Sequence, residues 1–163
     1  MLYFVESDYE LIPSTAHSDN RALQIALMLS AYMKEAPTKF GASFDLEWAI
    51  SKIKEAMEAP NQFIIVDYKV HHLVGVYWGA VGQMVHSPQL IGSDVGVYVK
   101  PCARGTGRGR VLITLAEKLY AQLGAIVVTA GTNSGIHHNE PAKHLYSALG
   151  YSEMGSTFFR HLI

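Results

Sequence analysis

Three arginines and three glycines crowd one short stretch: Arg104, Gly105, Thr106, Gly107, Arg108, Gly109 and Arg110, within YVKPCARGTGRGRVLITLAEKLYAQLG. An apolar run precedes it and a helical stripe follows, so the stretch reads as a turn feeding a helix. Such a turn leaves backbone N–H groups pointing along the helix axis, with the positive end of the helix dipole behind them, which suits an anion. Glycine lets a bulky anion approach the backbone, and arginine can pair with phosphate through two N–H groups. Three readings are open: a helix-capping turn, an arginine–glycine nucleic-acid segment, and a phosphate cradle. A P-loop would end in Gly-Lys-Ser/Thr, which this turn lacks. A dinucleotide fingerprint from Gly105 would need glycine at Arg110, and from Gly107 at Leu112. The acidic residue expected about 20 residues further on is missing from AIVVTAG. An arginine–glycine nucleic-acid segment normally belongs to a repeated disordered tract, and the chain has no repeat.

The spacing Arg104-x-x-Gly107-x-Gly109 resembles the pyrophosphate-binding signature of the GNAT superfamily of N-acetyltransferases, Arg/Gln-x-x-Gly-x-Gly/Ala. The upstream VYVKPCARG is similar to that family's hydrophobic strand and its Val-x-Pro turn. Downstream, NEPAKHLYSALGY sets Asn139, Ala142, Tyr146, Gly150 and Tyr151 in a pattern similar to the second GNAT signature, Asn-x-x-Ala-x-x-x-Tyr-x-x-x-Gly-Phe/Tyr. The two occur in the family's order. The likeness extends from the helix at 19–36 onward, with its motifs confined to residues 95–151. It implies acetyl-CoA as co-substrate, held at the pyrophosphate by Arg104, Gly105, Thr106, Gly107, Arg108, Gly109 and Arg110. It further implies that backbone groups of Val97, Tyr98 and Val99 pair with the pantetheine amides like an added strand. Val99 or its neighbour would polarise the thioester carbonyl, and Asn139 would reach the pantetheine arm. Asn139 is equally suited to cap a helix.

Moving an acetyl group from a thioester to an amine needs a deprotonated amine, stabilisation of a developing oxyanion and a proton for the departing thiolate. The resemblance makes Tyr146 the general acid, and a phenol with an ordinary pKa of about 10 keeps its proton at neutral pH. The plain alternative is a core tyrosine with a satisfied hydroxyl. The general base is not legible. Asp94 is the candidate on the strand at 91–100, on a face expected to be shared with Gly96 and Tyr98. His137 and His138 lie in the loop before the Tyr146 helix, and a water chain could replace any of them. Cys102 reads as a bystander, which favours direct attack by the amine in a ternary complex. The pairs His71/His72 and His137/His138 lack a third ligand, so no metal is expected.

The elements that must position these groups follow from periodicity. A helix from Ser18 or Asp19 buries Ala22, Ile25, Ala26, Leu29, Tyr32, Met33 and Ala36 and stops at Pro37. A second, from Asp45 to Ala59, presents Leu46, Ile50, Ile53 and Met57. QFIIVDY and HLVGVYWGAVGQM form a hairpin around Lys69–His72, made irregular by Gly75, Gly79 and Gly82. LIGSDVGVYVK is the next strand, and a helix from Gly107 to Leu123 buries Leu112, Leu115, Leu119 and Leu123. AIVVTAG reads as a buried strand reached by a right-handed crossover. A short helix runs from Pro141 to Leu149, with Asn139 or Glu140 as its cap, and closing strands follow in YSEMGSTFFRHLI. Residues 2–5 form a short first strand. This mixed order is an α/β (α+β) pattern. The resemblance makes it a GNAT-like acyl-CoA N-acyltransferase fold: a central twisted mixed sheet with helices on both faces, over residues 1–163 as a single domain.

The chain has 163 residues, about half of them apolar (49%), and a formal net charge of −1. The near-neutral balance argues against a nucleic-acid surface. One cysteine excludes an internal disulfide. The N-terminus lacks a secretory leader, and no apolar stretch is long enough to span a bilayer; a soluble, cytoplasmic protein is the expectation. The partner is a small-molecule or protein amine, and the resemblance admits a homodimer. The family builds its acceptor site near KEAPTKFGASFDLEW, where Glu35, Asp45 and Glu47 could draw a cation and Phe40, Phe44, Trp48 and Tyr77 could pack on it. The alternative function is a catalytically silent CoA-binding regulatory or interaction module of the same fold.

Overall fold

Phe63 to Asp67 are buried in succession within the strand Gln62–Lys69, so this strand has a core on each of its faces. The alternation sorts them: Ile64 and Val66 join one apolar cluster, Phe63 and Ile65 the other. The computed structural model describes Val5–Glu6, Tyr9–Leu11 and residues 19–36, 43–131 and 139–155. In chain order the elements are β1 (Val5–Glu6), β2 (Tyr9–Leu11), α1 (Asp19–Glu35), α2 (Leu46–Glu58), β3 (Gln62–Lys69), β4 (His72–Gln83), β5 (Leu90–Val99), α3 (Arg108–Gln122), β6 (Ala125–Thr129) and α4 (Glu140–Ala148). They form one sheet in the order β1-β2-β3-β4-β5-β6. All neighbours are antiparallel except β5 and β6, which run parallel across the α3 connection.

Helices α1 and α2 pack on one face through Ala22, Ile25, Ala26, Met28, Ile53, Ala56 and Met57. Helix α3 covers the other through Leu112, Ile113, Leu115, Ala116, Leu119 and Tyr120, joined by Leu145 and Tyr146 of α4. The expected mixed sheet with helices on both faces is the observed one. The hairpin β3–β4 turns on Val70 and His71, both at positive φ (49° and 65°), the conformation a two-residue hairpin requires. Asp45 caps α2 by accepting the Trp48 N–H at 2.9 Å, which anchors its first turn.

Three expectations are corrected. AIVVT is not buried: Ile126 and Val127 are 62% and 39% exposed, and among the described residues β5 is the strand's only partner. Leu46 is 38% exposed; it opens α2 at an end that overhangs the core, and Ala56 takes its place in the buried stripe. Tyr151–Gly155 forms no strand. Ser18, Pro37, Phe40, His137, His138, residues 2–4 and the rest of the expected closing strands lie outside the described residues.

Candidate functional site

The glycine–arginine turn begins after a short 3-10 turn at Pro101–Ala103. Gly105 and Gly107 both have positive φ (74° and 83°), and a Cβ at either would meet nothing within 4 Å. The turn therefore needs glycine for its backbone and leaves open space beside it. Gly107 occupies the N-cap of α3. The helix's own ladder starts with Val111 N–H donating to the Gly107 carbonyl at 3.2 Å. The N–H groups of Arg108, Gly109 and Arg110 thus precede it and face out of the helix end. This is an anion cradle in backbone terms. Gly109 serves packing: a Cβ there would sit 3.2 Å from Leu145 Cδ2, so glycine lets α4 approach α3.

The three arginines do not act alike. Arg104 turns back from the cradle. Its Nη1 and Nη2 donate to both Glu35 carboxylate oxygens at the end of α1, the second at 2.7 Å. Its Nε donates to the Val99 carbonyl at 2.9 Å. Tyr98 Oη donates to the same Glu35 carboxylate at 3.0 Å. Arg108 pairs with Asp67, which is fully buried, and donates to the Tyr68 carbonyl at 3.3 Å. Arg110 is exposed. The side-chain charge that sequence spacing assigned to three arginines is therefore, for two of them, engaged with carboxylates of distant elements.

Strand β5 divides where its neighbours do. Leu90–Ser93 pairs with β6, while β4 follows β5 along its whole length. Beyond Ser93, β6 gives β5 no partner. Lys100 N–H donates to the Val74 carbonyl, so by the alternation of an antiparallel ladder Val97 and Val99 turn their backbone groups to the open edge. A bulge sits at the division. Trp78 pairs with Gly96 and Gly79 with Asp94, leaving Val95 as the extra residue. The bulge swaps the faces. Tyr98 packs on the α1–α2 side, whereas Val97 and Val99 pack on the α3 side. Asp94 stands on the α3 side with Gly92, where a Cβ would strike the Tyr120 ring. The expectation that Asp94 shares a face with Gly96 and Tyr98 is thus corrected, because one extra residue shifts the alternation.

Asp94 accepts the Gly131 N–H at Oδ1 (3.0 Å) and the Tyr146 hydroxyl at Oδ2 (3.2 Å). Burial pushes its carboxyl above the ordinary aspartate value, and these two donors offset part of the rise. Burial pushes the Tyr146 phenol well up, and the neighbouring Asp94 charge adds to it. The sequence reading named both residues; the structure brings them into contact. Their spacing in sequence gave no sign of it.

The local fold explains the second signature. Gly150 has φ 90° and follows the last turn of α4. Its N–H donates to the Ser147 carbonyl at 3.0 Å, and Tyr151 N–H donates to the Tyr146 carbonyl at 3.0 Å. This is a Schellman end, which favours glycine. It folds the Tyr151 ring onto that of Tyr146, edge to face at 5.1 Å. Asn139 holds the N-cap position at φ 65° without a side-chain capping bond; its left-handed backbone, which asparagine tolerates, turns the chain into α4.

Other candidates go elsewhere. Tyr77 is buried on the α3 side and contacts Tyr120. Trp48 is 64% exposed with Lys52 Nζ over its ring at 4.6 Å. Glu47 and Cys102 are exposed, as are His71 and His72 on the hairpin turn. Among the described residues no three His, Cys, Asp or Glu side chains converge as a metal site, and no helix is long and apolar enough to cross a membrane. Sequence reasoning missed Tyr120 and the carboxylate partners of Arg104 and Arg108. The signal for Tyr120 was present in Gly79 and Gly92, since glycine inside a strand marks a close approach.

Residues 60–153, more than half of the chain, match the family model described as the acetyltransferase (GNAT) domain. The chain belongs to the GNAT acetyltransferases. No curated protein sequence matches it significantly. Among solved structures it resembles an aminoglycoside acetyltransferase from an uncultured soil metagenomic sample, in complex with sisomicin, at 16% identity over 95% of each chain with a TM-score of 0.71. It resembles AAC(6')-Iy in complex with a CoA-containing bisubstrate analogue at 13% identity, over 95% of this chain and 98% of that one, with a TM-score of 0.71. A ribosomal-protein-alanine N-acetyltransferase from Brucella melitensis biovar Abortus aligns at 14% identity over 95% and 99% of the two chains, with a TM-score of 0.67. At such identities these likenesses establish the GNAT fold. The residues present suit the acetyl-CoA that the family uses: a glycine turn with open space, outward N–H groups and an open strand edge.

Proposed function

We propose that this GNAT domain transfers an acetyl group from acetyl-CoA to a primary amine by direct attack in a ternary complex. The observation that carries the reading is the Tyr146 hydroxyl on Asp94 at 3.2 Å, placed where β5 opens away from β6. Acetyl-CoA supplies the activated acetyl thioester. The N–H groups of Arg108, Gly109 and Arg110 hold its pyrophosphate, with Gly105, Thr106 and Gly107 shaping the turn. The open edge at Val97 and Val99 takes the pantetheine amides, with Tyr98 between them fixing the strand. Asn139 borders the arm from the start of α4. Val99 N–H faces the carbonyl to be polarised; its own carbonyl is occupied by Arg104.

Asp94 Oδ2 takes the proton that the amine nitrogen loses on attack. Its raised carboxyl makes it a better base than an exposed aspartate. Tyr146 Oη gives its proton to the departing sulfur, and the phenol's upward shift keeps that proton in place until a thiolate forms. The proton on Asp94 then passes along the existing hydrogen bond to Tyr146, and both groups return to their starting states.

We read residues 1–163 as one such domain, and its single thiol, Cys102, as suited to a reducing, cytoplasmic setting. The fold neighbours suggest two first acceptors, an aminoglycoside and a peptide with an N-terminal alanine. Thiol release from acetyl-CoA, followed with sisomicin and with such a peptide among a panel of primary amines, tests the reading. Release matched by acetylated amine supports it. CoA binding without turnover on any amine would favour the silent binding module instead.

A further inference from the structure

Tyr120 lies on α3, 1% exposed, yet its hydroxyl belongs to the sheet. It donates to the Ser93 carbonyl at 2.6 Å. Tyr77 Oη stands 3.3 Å away; since the Tyr120 proton is committed to Ser93, Tyr77 is the donor there. Ser93 lies opposite Ala80 of β4, one step before the bulge at Val95. The hydroxyl therefore bridges α3 to β5 at the place where the β4–β5 ladder breaks.

The sheet is cut to receive this ring. A Cβ at Gly79 would lie 2.6 Å from Tyr120 Oη, and one at Gly92 would lie 2.4 Å from its ring. Phe63 closes the slot edge to face at 4.9 Å. Gly79 is the cross-strand partner of Asp94, so the wedge sits beneath the carboxylate. A phenylalanine would fill the same slot; only the hydroxyl can hold the Ser93 carbonyl.

We propose that Tyr120 is a positioning residue for acetyl transfer: its hydroxyl, bonded to the Ser93 carbonyl, fixes the β5 bulge that turns Asp94 toward Tyr146 and Gly131. The inference rests on the Asp94–Tyr146 reading above. Losing the bridge frees β5 beside the bulge and draws Asp94 away from its two donors. The titratable groups around Asp94 are Tyr146 of α4, Tyr151 after it, Tyr120 of α3, Tyr77 of β4 and Tyr32 of α1.

The test is the carboxyl titration of Asp94, followed by carbon NMR on the full chain without ligand. In Tyr120→Phe the slot stays filled, and the midpoint should move by about half a pH unit or more from its wild-type value. Gly79→Ala, which displaces the hydroxyl from the opposite side, should move it too and serves if the first variant folds poorly. Tyr77→Phe leaves the bridge intact and should leave the midpoint in place. An unmoved midpoint in both Tyr120→Phe and Gly79→Ala would overturn the proposal, even if the melting temperature fell. A shift in Tyr77→Phe as large as that in Tyr120→Phe would also overturn it, since the bridge would then not be the cause. No arm needs acetyl-CoA or an acceptor. A separate CoA titration of the wild type reports on the transfer reading, which can fail while the wedge stands.

Discussion

The two faces of the sheet are built from different materials. Against α1 and α2 the core is Ala, Ile, Met, Leu and Val, with Tyr98 at its margin. Against α3 and α4 aliphatic residues such as Leu112, Ile113 and Leu119 are joined by aromatic rings, Phe63, Tyr77, Tyr120, Tyr146 and Tyr151, and the hydroxyls of Tyr77, Tyr120 and Tyr146 bond to one another, to Ser93 or to Asp94 beside the bulge of β5. Aliphatic packing is non-directional and gives stability. Hydroxyls must find partners when buried, and so fix geometry. The proposed chemistry lies on the face held by directional bonds, which keep Asp94 and Tyr146 in contact.

Substitutions on each face in turn separate the two roles. Tyr146→Phe keeps the ring packed on Tyr151 and removes the proposed acid. Its kcat should fall by roughly 10²- to 10⁴-fold with the melting temperature near wild type, read from thiol release and calorimetric melts. Full activity would place the acid elsewhere. On the aliphatic face, Ile53→Ala removes a fully buried side chain and should cost about 2–5 kcal/mol by denaturant unfolding. Its pH–rate profile should remain that of the wild type.

Asp94→Asn draws the contrast at a single residue, because stability and activity should move in opposite directions. The folded state holds the Asp94 proton more readily than the unfolded chain does. The ionised carboxyl therefore costs stability above its raised midpoint, and the cost fades as pH falls through that midpoint. The variant should be more stable than wild type at neutral pH. The gap should close in acid and vanish below the ordinary aspartate value of 3.8. Its pH–rate curve should lose the acidic limb, which in the wild type lies above the usual aspartate range. The smallest effect belongs to Arg110→Ala: an exposed charge near the pyrophosphate, screened by salt, is expected to weaken CoA binding by about fivefold or less, with a shallower salt dependence.

The turn before α3 and the end of α4 were legible in the sequence because their reasons are local. Gly107 and Gly150 have positive φ that their motifs require, and Tyr151 packs on Tyr146 within the same helix end. What stayed hidden depends on distance. Arg104 and Arg108 find their carboxylates 69 and 41 residues away, so spacing could not show that two of the three guanidinium groups turn from the cradle. The face of Asp94 depended on Val95, an extra residue that no local residue type announces. AIVVT looks buried because composition does not reveal how much of a strand its neighbours cover.

All of the proposed chemistry requires that the turn before α3 hold acetyl-CoA with its thioester reaching the fork at Asp94. Isothermal titration of acetyl-CoA into the wild type and Gly107→Glu addresses this requirement. The carboxylate would enter the open space beside the turn and strain a backbone at φ 83°. Binding to the wild type and none to the variant is the expected result. Absence of binding to the wild type, or equal binding to both, would contradict it.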